Sequence, residues 1–574
     1  MKPLSITISV LILFICFTTT LFAQEGILWG DAVPEGWNGK WPDEYLTACE
    51  KSDFTYTANN QDILEYFEML MWNSEHVSVF DMFISDRGRA CPVLVMTNPR
   101  VRSAREAKES GKTVVYLQGG IHPSECEGKE ALLMIIRDIL FGDKNYLLDN
   151  LIIMVCPNFN VDGNETRTLS RGKPVISGTR HNAYGFDVNR DAIKLETTNM
   201  IGAYENVFNT WDPIMVYDTH RMGSVRHGYP IVYAGSNVAT AHPGPRDYVT
   251  YKIFPEITEQ GRKNGKIEIF YHCGLSRDEW PPDEFTHDNA IWSTEAKFMV
   301  SGYGLRNRMA ILVETVGYVS LEKMIYSQYI FVDELLKYIY ENGKEMEEIC
   351  RKADEEVVRK IREKASSGEL MNYVEGEYVS EGKYDILGYK ELSFDYIPGT
   401  SIMNVQAVSE DGSPEVIPDV ELVTKPVGTR QAAVPRGYFI PRELGFLVDK
   451  LRILGLEVTQ LEEPVTASGE QFVIDGMIQE RTMSWPGYIM TELKGNFVRV
   501  DDKFIPAGTY HLDMAQPLAN VAFYALEPQV GDGFVGWNLL EQYFINLGVY
   551  EHSIVYPVFK YFKTDPPLKG ESPD

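Results

Sequence analysis

Short apolar runs separated by stretches of helical period make up the first two-thirds of the chain. Thr113-Val114-Val115-Tyr116-Leu117 reads as a buried strand, and Gly128 to Leu140 places Leu132, Leu133, Ile135, Ile136 and Leu140 at helical spacing. Upstream, Asp62 to Trp72 carries Ile63, Leu64, Phe67 and Leu70 on one helical face. Val77 to Ile84 alternates as a strand does, and Pro92 to Met96 predicts another. Downstream, Leu151 to Cys156, Pro213 to His220 and Met309 to Glu314 are runs of the kind buried on both faces of a parallel sheet. Strands alternating with helices predict an α/β fold: a mixed, largely parallel central sheet flanked by helices.

After Glu314 the period turns helical. Leu321 to Tyr340 is strongly apolar, and Lys344 to Ala365 sets Met346, Ile349, Ala353, Val357 and Ile361 in a stripe, so two helices are expected. Ser366-Ser367-Gly368 reads as a boundary. Residues 369–430, rich in Tyr, Val, Pro and Gly, predict β structure; Arg442 to Gly455 predicts one helix, and strands and loops follow. The expected organisation is a catalytic domain over 24–366 and a β-rich α+β accessory domain over 367–574. Residues 25–60 show no clear period and are expected to wrap the surface.

Residues 1–23 stand apart. Lys2, the apolar run Ile6 to Phe17 and Leu21-Phe22-Ala23 before Gln24 predict a secretory signal peptide cut after Ala23, hence a secreted or periplasmic protein. The apolar core is short for a bilayer span. Cys16 follows Phe14 and Ile15 rather than small residues, so no lipoprotein cleavage site is expected, and no later stretch reads as a membrane span.

With 574 residues, 44% hydrophobic and 24% charged, the chain is soluble in character and too long for one core. Loss of Lys2 with the leader leaves 53 basic against 82 acidic residues, a net charge of −29, which repels nucleic acid and anionic membranes and otherwise favours solubility. Beyond Cys16, six cysteines are scattered without Cys-x-x-Cys pairing and are expected as buried thiols.

Ligands of α/β sheets gather at the carboxyl ends of the strands. There the sequence places His122 and Glu125, in the turn after Thr113–Leu117, His220 at the end of the next run, and Glu314 at the end of the last. Two imidazoles and a carboxylate are the ligands of an open catalytic zinc site, and a second carboxylate is a general base.

The ordered set His122-x-x-Glu125, Asn189-Arg190, His220 and Glu314 resembles the zinc carboxypeptidase family of carboxypeptidase A, over about residues 60–345. Pro157-Asn158-Phe159-Asn160-Val161-Asp162-Gly163 and Gly185-Phe186-Asp187-Val188-Asn189-Arg190 resemble two further family segments. Gly304-Leu305-Arg306-Asn307-Arg308, with Ala515-Gln516-Pro517-Leu518 and Leu526-Glu527-Pro528, resembles a bacterial branch. The resemblance implies one Zn2+ per chain on His122, Glu125 and His220, with Glu314 as general base to a zinc-activated water. It implies that Asp187 orients a zinc histidine and that Asn189 and Arg190 grip the substrate's terminal carboxylate. An upstream arginine would stabilise the oxyanion, Arg180 before Arg171, and Tyr303 falls in the interval of the family's mobile tyrosine, with Trp292 and Tyr318 nearby.

The expected activity is hydrolysis of the C-terminal amide bond of a peptide or small amide bearing a free carboxylate. An amidase or deacylase acting on cell-wall peptides or N-acyl amino acids is the first alternative, and a non-catalytic binding scaffold the second. Neither substrate side-chain preference nor oligomeric state follows from the sequence.

Overall fold

The structure, a computed structural model, describes residues 26–568 except 167–168, 171–172, 175–176, 223–224, 276–279, 287–292, 397–402, 408–411, 482–487 and 549–553. The predicted leader, Arg171 and Trp292 lie outside the described residues.

Eight strands form the central sheet: β1 (Val77–Ile84), β2 (Ala90–Met96), β3 (Thr113–Gln118), β4 (Leu151–Cys156), β5 (Met215–Met222), β6 (Ile231–Ala234), β7 (Ile269–Tyr271) and β8 (Met309–Val316). Their order is β1-β2-β4-β3-β5-β8-β6-β7. The four central strands β4, β3, β5 and β8 are parallel, whereas β1, β2 and β6 pair antiparallel with their inner neighbours. β6 and β7 are the strands the apolar pattern did not predict; four and three residues carry too little period.

Both faces of the centre are covered. Val115 and Leu117 of β3, Ile153 and Val155 of β4, and Ile311 and Val313 of β8 enter one apolar cluster. Tyr116, Ile152, Met154 and Leu312 enter another on the opposite face. Successive side chains of a strand point to opposite faces, so a sheet buried on both sides needs unbroken apolar runs.

The helix after β3, α1 (Glu127–Phe141), is buried along nearly its whole length, charged residues included. Each of those has a local partner: Arg137 donates to both Glu50 oxygens at 2.8 and 2.9 Å, and Lys129 donates to Asn164 Oδ1 at 3.0 Å. Residues around 50–60 therefore do more than wrap the surface; they neutralise α1.

Where two helices were expected after β8, there is one, α3 (Leu321–Lys364), preceded by the short α2 (Met299–Gly304). Gly343 reads as a break in sequence, yet its bare Cα lies against β3: a Cβ there would meet Thr113 Oγ1 at 2.7 Å. The glycine serves a close approach, and the helix runs through it.

Beyond residue 367 lie long antiparallel ribbons. β9 (Met371–Gly388) pairs with β10 (Glu415–Ala433). β12 (Val465–Arg481) pairs with β13 (Ile489–Ile505) in a sheet that also holds β11 (Gly437–Ile440), β14 (Tyr510–Asp513) and β15 (Phe559–Asp565). The expected helix at Arg442–Gly455 is a short 3-10 turn leading into Gly445–Ile453. The packing has no seam near residue 366. Glu284–Thr286 pairs with β10, and one apolar cluster runs from Tyr116 and Leu312 through Val357 and Ile361 to Tyr438, Leu512 and Phe523. The six cysteines from Cys49 to Cys350 are buried thiols. Among the described residues no helix is long and apolar enough to cross a membrane.

Candidate metal and substrate site

β3 and β5 are neighbours from which the chain leaves in opposite directions across the sheet, which opens a crevice at their carboxyl ends. His122 and Glu125 follow β3 in the turn before α1, and His220 is the sixth residue of β5. The two elements approach closely at Gly128, where a Cβ would lie 2.0 Å from Thr219 Oγ1, so this position is restricted to glycine.

The close approach brings the three donors together. His220 Nδ1 lies 3.2 Å from His122 Nδ1 and 3.0 Å from Glu125 Oε2, and His122 Nδ1 lies 3.1 Å from the same oxygen. All three side chains are buried, and their ligand atoms lie within 4.8 Å of one another. The far nitrogens are tied down: His122 Nε2 is 2.9 Å from Asp187 Oδ1 and His220 Nε2 is 2.8 Å from Asp218 Oδ2. An imidazole that donates from Nε2 presents a lone pair at Nδ1. Two lone pairs and a carboxylate oxygen thus face one point, an arrangement that a cation between them relieves. Tetrahedral zinc with bonds of about 2.1 Å sets its ligands roughly 3.4 Å apart, close to the separations here, so the donor set fits the metal.

The electrostatics follow from this crowding. Burial opposes ionisation of Glu125, but the two histidines hold its carboxyl well below the usual range. Asp187, also buried, is held well down by His122 and the arginines beside it, and the His220 imidazole is pushed up by Asp218 and Glu125 against its burial.

Asp218 was missed in the sequence. It lies two positions before His220 on one strand, so both side chains share a face; Asp-x-His at a strand end was the available signal.

Glu314 is the register partner of His220 across β5 and β8, and it keeps part of its side chain exposed, 14%. His272 Nε2, a second residue the sequence reading did not single out, stands 3.6 Å from its Oε1. Arg180 reaches the same crevice: its Nε donates to Asp187 at 2.7 Å and Nη1 to Glu125 Oε1 at 3.1 Å. Asn189 sits in the turn Val188–Arg190, its Oδ1 accepting from Met299 N at 2.9 Å and its Nδ2 3.3 Å from His220 Nε2. Arg190 is buried with its guanidinium 4.5 Å over the Phe298 ring, and burial lowers its pKa to about 10.

Tyr303 is placed elsewhere. Its ring packs 4.7 Å from Phe208, and its hydroxyl donates to Pro213 O where β5 begins, five strand residues and roughly 17 Å from the end that carries His220. The short helix α2 turns this side chain into the core instead of the crevice. Tyr318 is likewise buried, against Tyr389.

The donor set is that of a metal site. Comparison with known proteins indicates a metallopeptidase, a hydrolase: residues 63–212 match the family model described as zinc carboxypeptidase, which together with the relatives below supports the zinc metallocarboxypeptidase family. The matched segment holds His122, Glu125, Arg180, Asp187, Asn189 and Arg190. Carboxypeptidase 2 of Trichophyton tonsurans is 24% identical over 484 residues, covering 82% of this chain and 81% of the relative. Carboxypeptidase 2 of Trichophyton rubrum is 24% identical over 506 residues, covering 85% and 83%. Such coverage reaches into the ribbons beyond residue 367. A metallo-carboxypeptidase from Burkholderia cenocepacia of known structure is 15% identical, with a TM-score of 0.36 over 49% of this chain and 69% of that one, a likeness too slight to argue from.

Proposed function

We propose that this protein removes the C-terminal residue of a peptide outside the cytoplasm, with Zn2+ held by His122, Glu125 and His220. The observation that carries the reading is the convergence of two Nδ1 lone pairs and Glu125 Oε2, with both far nitrogens fixed by aspartates. When bound, zinc supplies Lewis acidity to the scissile carbonyl and to a water at this site.

The chain's own residues supply the remaining steps. Glu314 accepts a proton of the attacking water at a carboxylate oxygen as the water oxygen bonds to the carbonyl carbon, and delivers that proton to the amine nitrogen as the C–N bond breaks, leaving a carboxylate and a free amine. Arg180 offers guanidinium N–H groups to the developing oxyanion. Arg190, buried over Phe298 with Nη1 donating to Asn189 O at 3.1 Å and 3.9 Å from Asp187 Oδ2, takes the substrate's terminal carboxylate as a bidentate partner, and Asn189 braces the same turn against Met299. Asp187 and Asp218 keep both histidines in the ligating tautomer. The extracytoplasmic location rests on the leader-like sequence of residues 1–23.

The test is elemental analysis joined to hydrolysis of a mixed peptide library by wild type and Glu314→Gln. One zinc per chain with C-terminal trimming lost in Glu314→Gln is the expected result. Zinc without trimming, but with release of amino acids from muropeptides or N-acyl amino acids, would replace the peptide substrate; a zinc-free protein would overturn the reading.

A further inference from the structure

Two segments set the seat of Arg190, and the residues beyond 367 hold both. The first is 187–197. Its Asp191 carboxylate accepts from Glu196 N at 2.9 Å, from Thr197 N at 2.7 Å and from the Thr197 hydroxyl at 2.7 Å. Leu195 adopts a left-handed backbone, φ 55°, which a branched residue keeps only when its surroundings enforce it. Lys450 supplies part of that enforcement by donating to Lys194 O at 2.7 Å and Leu195 O at 3.0 Å. The Lys194 ammonium is itself buried in an aromatic cage, 3.9 Å from the ring centre of Tyr488 and 4.9 Å from that of Trp537. It donates to the Tyr488 hydroxyl at 2.7 Å and pairs with Glu196 at 2.9 Å.

The second segment is 295–299, which carries Phe298 under the guanidinium. Lys297 N donates to Asp532 Oδ2 at 2.7 Å, and Ala296 N donates to the Tyr524 hydroxyl at 2.9 Å. Tyr524 in turn donates to Asp532. The two segments are joined directly by Ala192 N donating to Lys297 O at 3.2 Å. A buried ammonium between rings set edge to face and a buried aspartate on a backbone N–H are specific, desolvated contacts. The first lies four residues from Arg190 in the chain, and the second is one residue from Phe298, over which the guanidinium rests. Bidentate recognition tolerates little displacement of the guanidinium, since about 1 Å of error can cost on the order of a hundredfold.

We propose that the C-terminal region is part of the substrate grip: Tyr488 and Trp537 acting through Lys194, and Asp532 acting through Lys297, fix the Arg190 guanidinium for a terminal carboxylate. This rests on the reading of Arg190 as the carboxylate grip. Tyr488, Trp537 and Asp532 are positioning residues; they act on binding and leave the bond-breaking step to the crevice at β3, β5 and β8.

The experiment measures kcat and KM of the full chain on an N-blocked dipeptide with a free C-terminus and on its amide, for wild type, Tyr488→Ala, Arg190→Ala and the double variant. Tyr488→Ala is expected to raise KM on the free acid about tenfold, equivalent to about 1.4 kcal/mol, with kcat within about twofold. In the Arg190→Ala background the same change should raise KM less than about twofold, because coupled residues are not additive. Tyr488→Phe, which keeps the ring, should recover most of the loss. An equal effect of Tyr488→Ala with and without Arg190, or a loss confined to kcat, would overturn the proposal. If Tyr488→Ala shows no cooperative thermal transition, Asp532→Asn carries the same comparison with a smaller expected shift. Wild type that cleaves acid and amide equally, with Arg190→Ala unchanged, would overturn the grip itself and the proposal with it.

Discussion

The central sheet and the C-terminal ribbons are both β structure, yet they use apolar residues in opposite ways. All six residues of β4 are buried, and β3 and β8 are nearly so. The far half of β12 is mostly open, with Met477 and Ile478 each 40% exposed, and Val498 in the middle of β13 is 49% exposed. The register of β9 on β10 slips repeatedly, with irregularities between Val379 and Ser380 and between Ser380 and Lys383 among others. A sheet covered on both faces fixes its register by burial, and a one-residue slip would be costly. A ribbon with one open face tolerates bulges and turns them into bends. On the proposed reading, the rigid sheet supports the groups that break bonds, and the region of the bent ribbons reaches round to brace the carboxylate grip, Arg190.

That contrast can be broken at several points. His220→Ala should remove the metal and with it essentially all hydrolysis, seen as loss of zinc in elemental analysis; no single substitution in the ribbons should do so. Glu314→Gln should keep the zinc and lower kcat by about 10²–10⁴-fold. In stability, Ile153→Ala in the sheet should cost about 2–5 kcal/mol, whereas Val498→Ala in the ribbon should cost about 0.5 kcal/mol or less; denaturant midpoints at constant slope compare them.

A pH-dependent effect is expected at the joint between the regions. Burial, together with Glu295 beside it, pushes the Asp532 carboxyl up to about 7. From about pH 4, the ordinary carboxylate value, up to neutrality the folded chain keeps this proton while the unfolded chain has lost it. The group's contribution to stability is thus full at acid pH and is lost as pH rises to about 7. Asp532→Asn should flatten that fall by about 1–3 kcal/mol, measured as unfolding free energies at about pH 5 and pH 8.

The same contrast decided what could be read from the sequence. Val77–Ile84 and Leu151–Cys156 appear as strands at the boundaries that their apolar runs predict, and His122, Glu125, His220 and Glu314 fall at strand ends because doubly buried strands announce themselves. Tyr303 was misplaced because chain distance from Glu314 says nothing about which way a short helix turns a ring. His272 was missed because its approach to Glu314 exists only in three dimensions, whereas Asp218 was passed over although its spacing from His220 was readable. The ribbons were legible as β structure but not as partners of Arg190, because Tyr488 lies almost 300 positions from Lys194 in sequence.

The unbroken helix α3 has a consequence for synthesis. It emerges from the ribosome complete at residue 364, with Val357 and Ile361 on its outer turns. The residues that share their apolar cluster, Leu512, Met514 and Phe523 among them, are made some 150 positions later. Val374 and Val434 of the same cluster come sooner, but at about 5–20 residues per second the rest of the cover is missing for roughly eight to thirty seconds. For that interval the nascent chain carries a finished sheet and an adhesive spar, and its yield in a cell depends on whatever shields the spar until the last strands arrive.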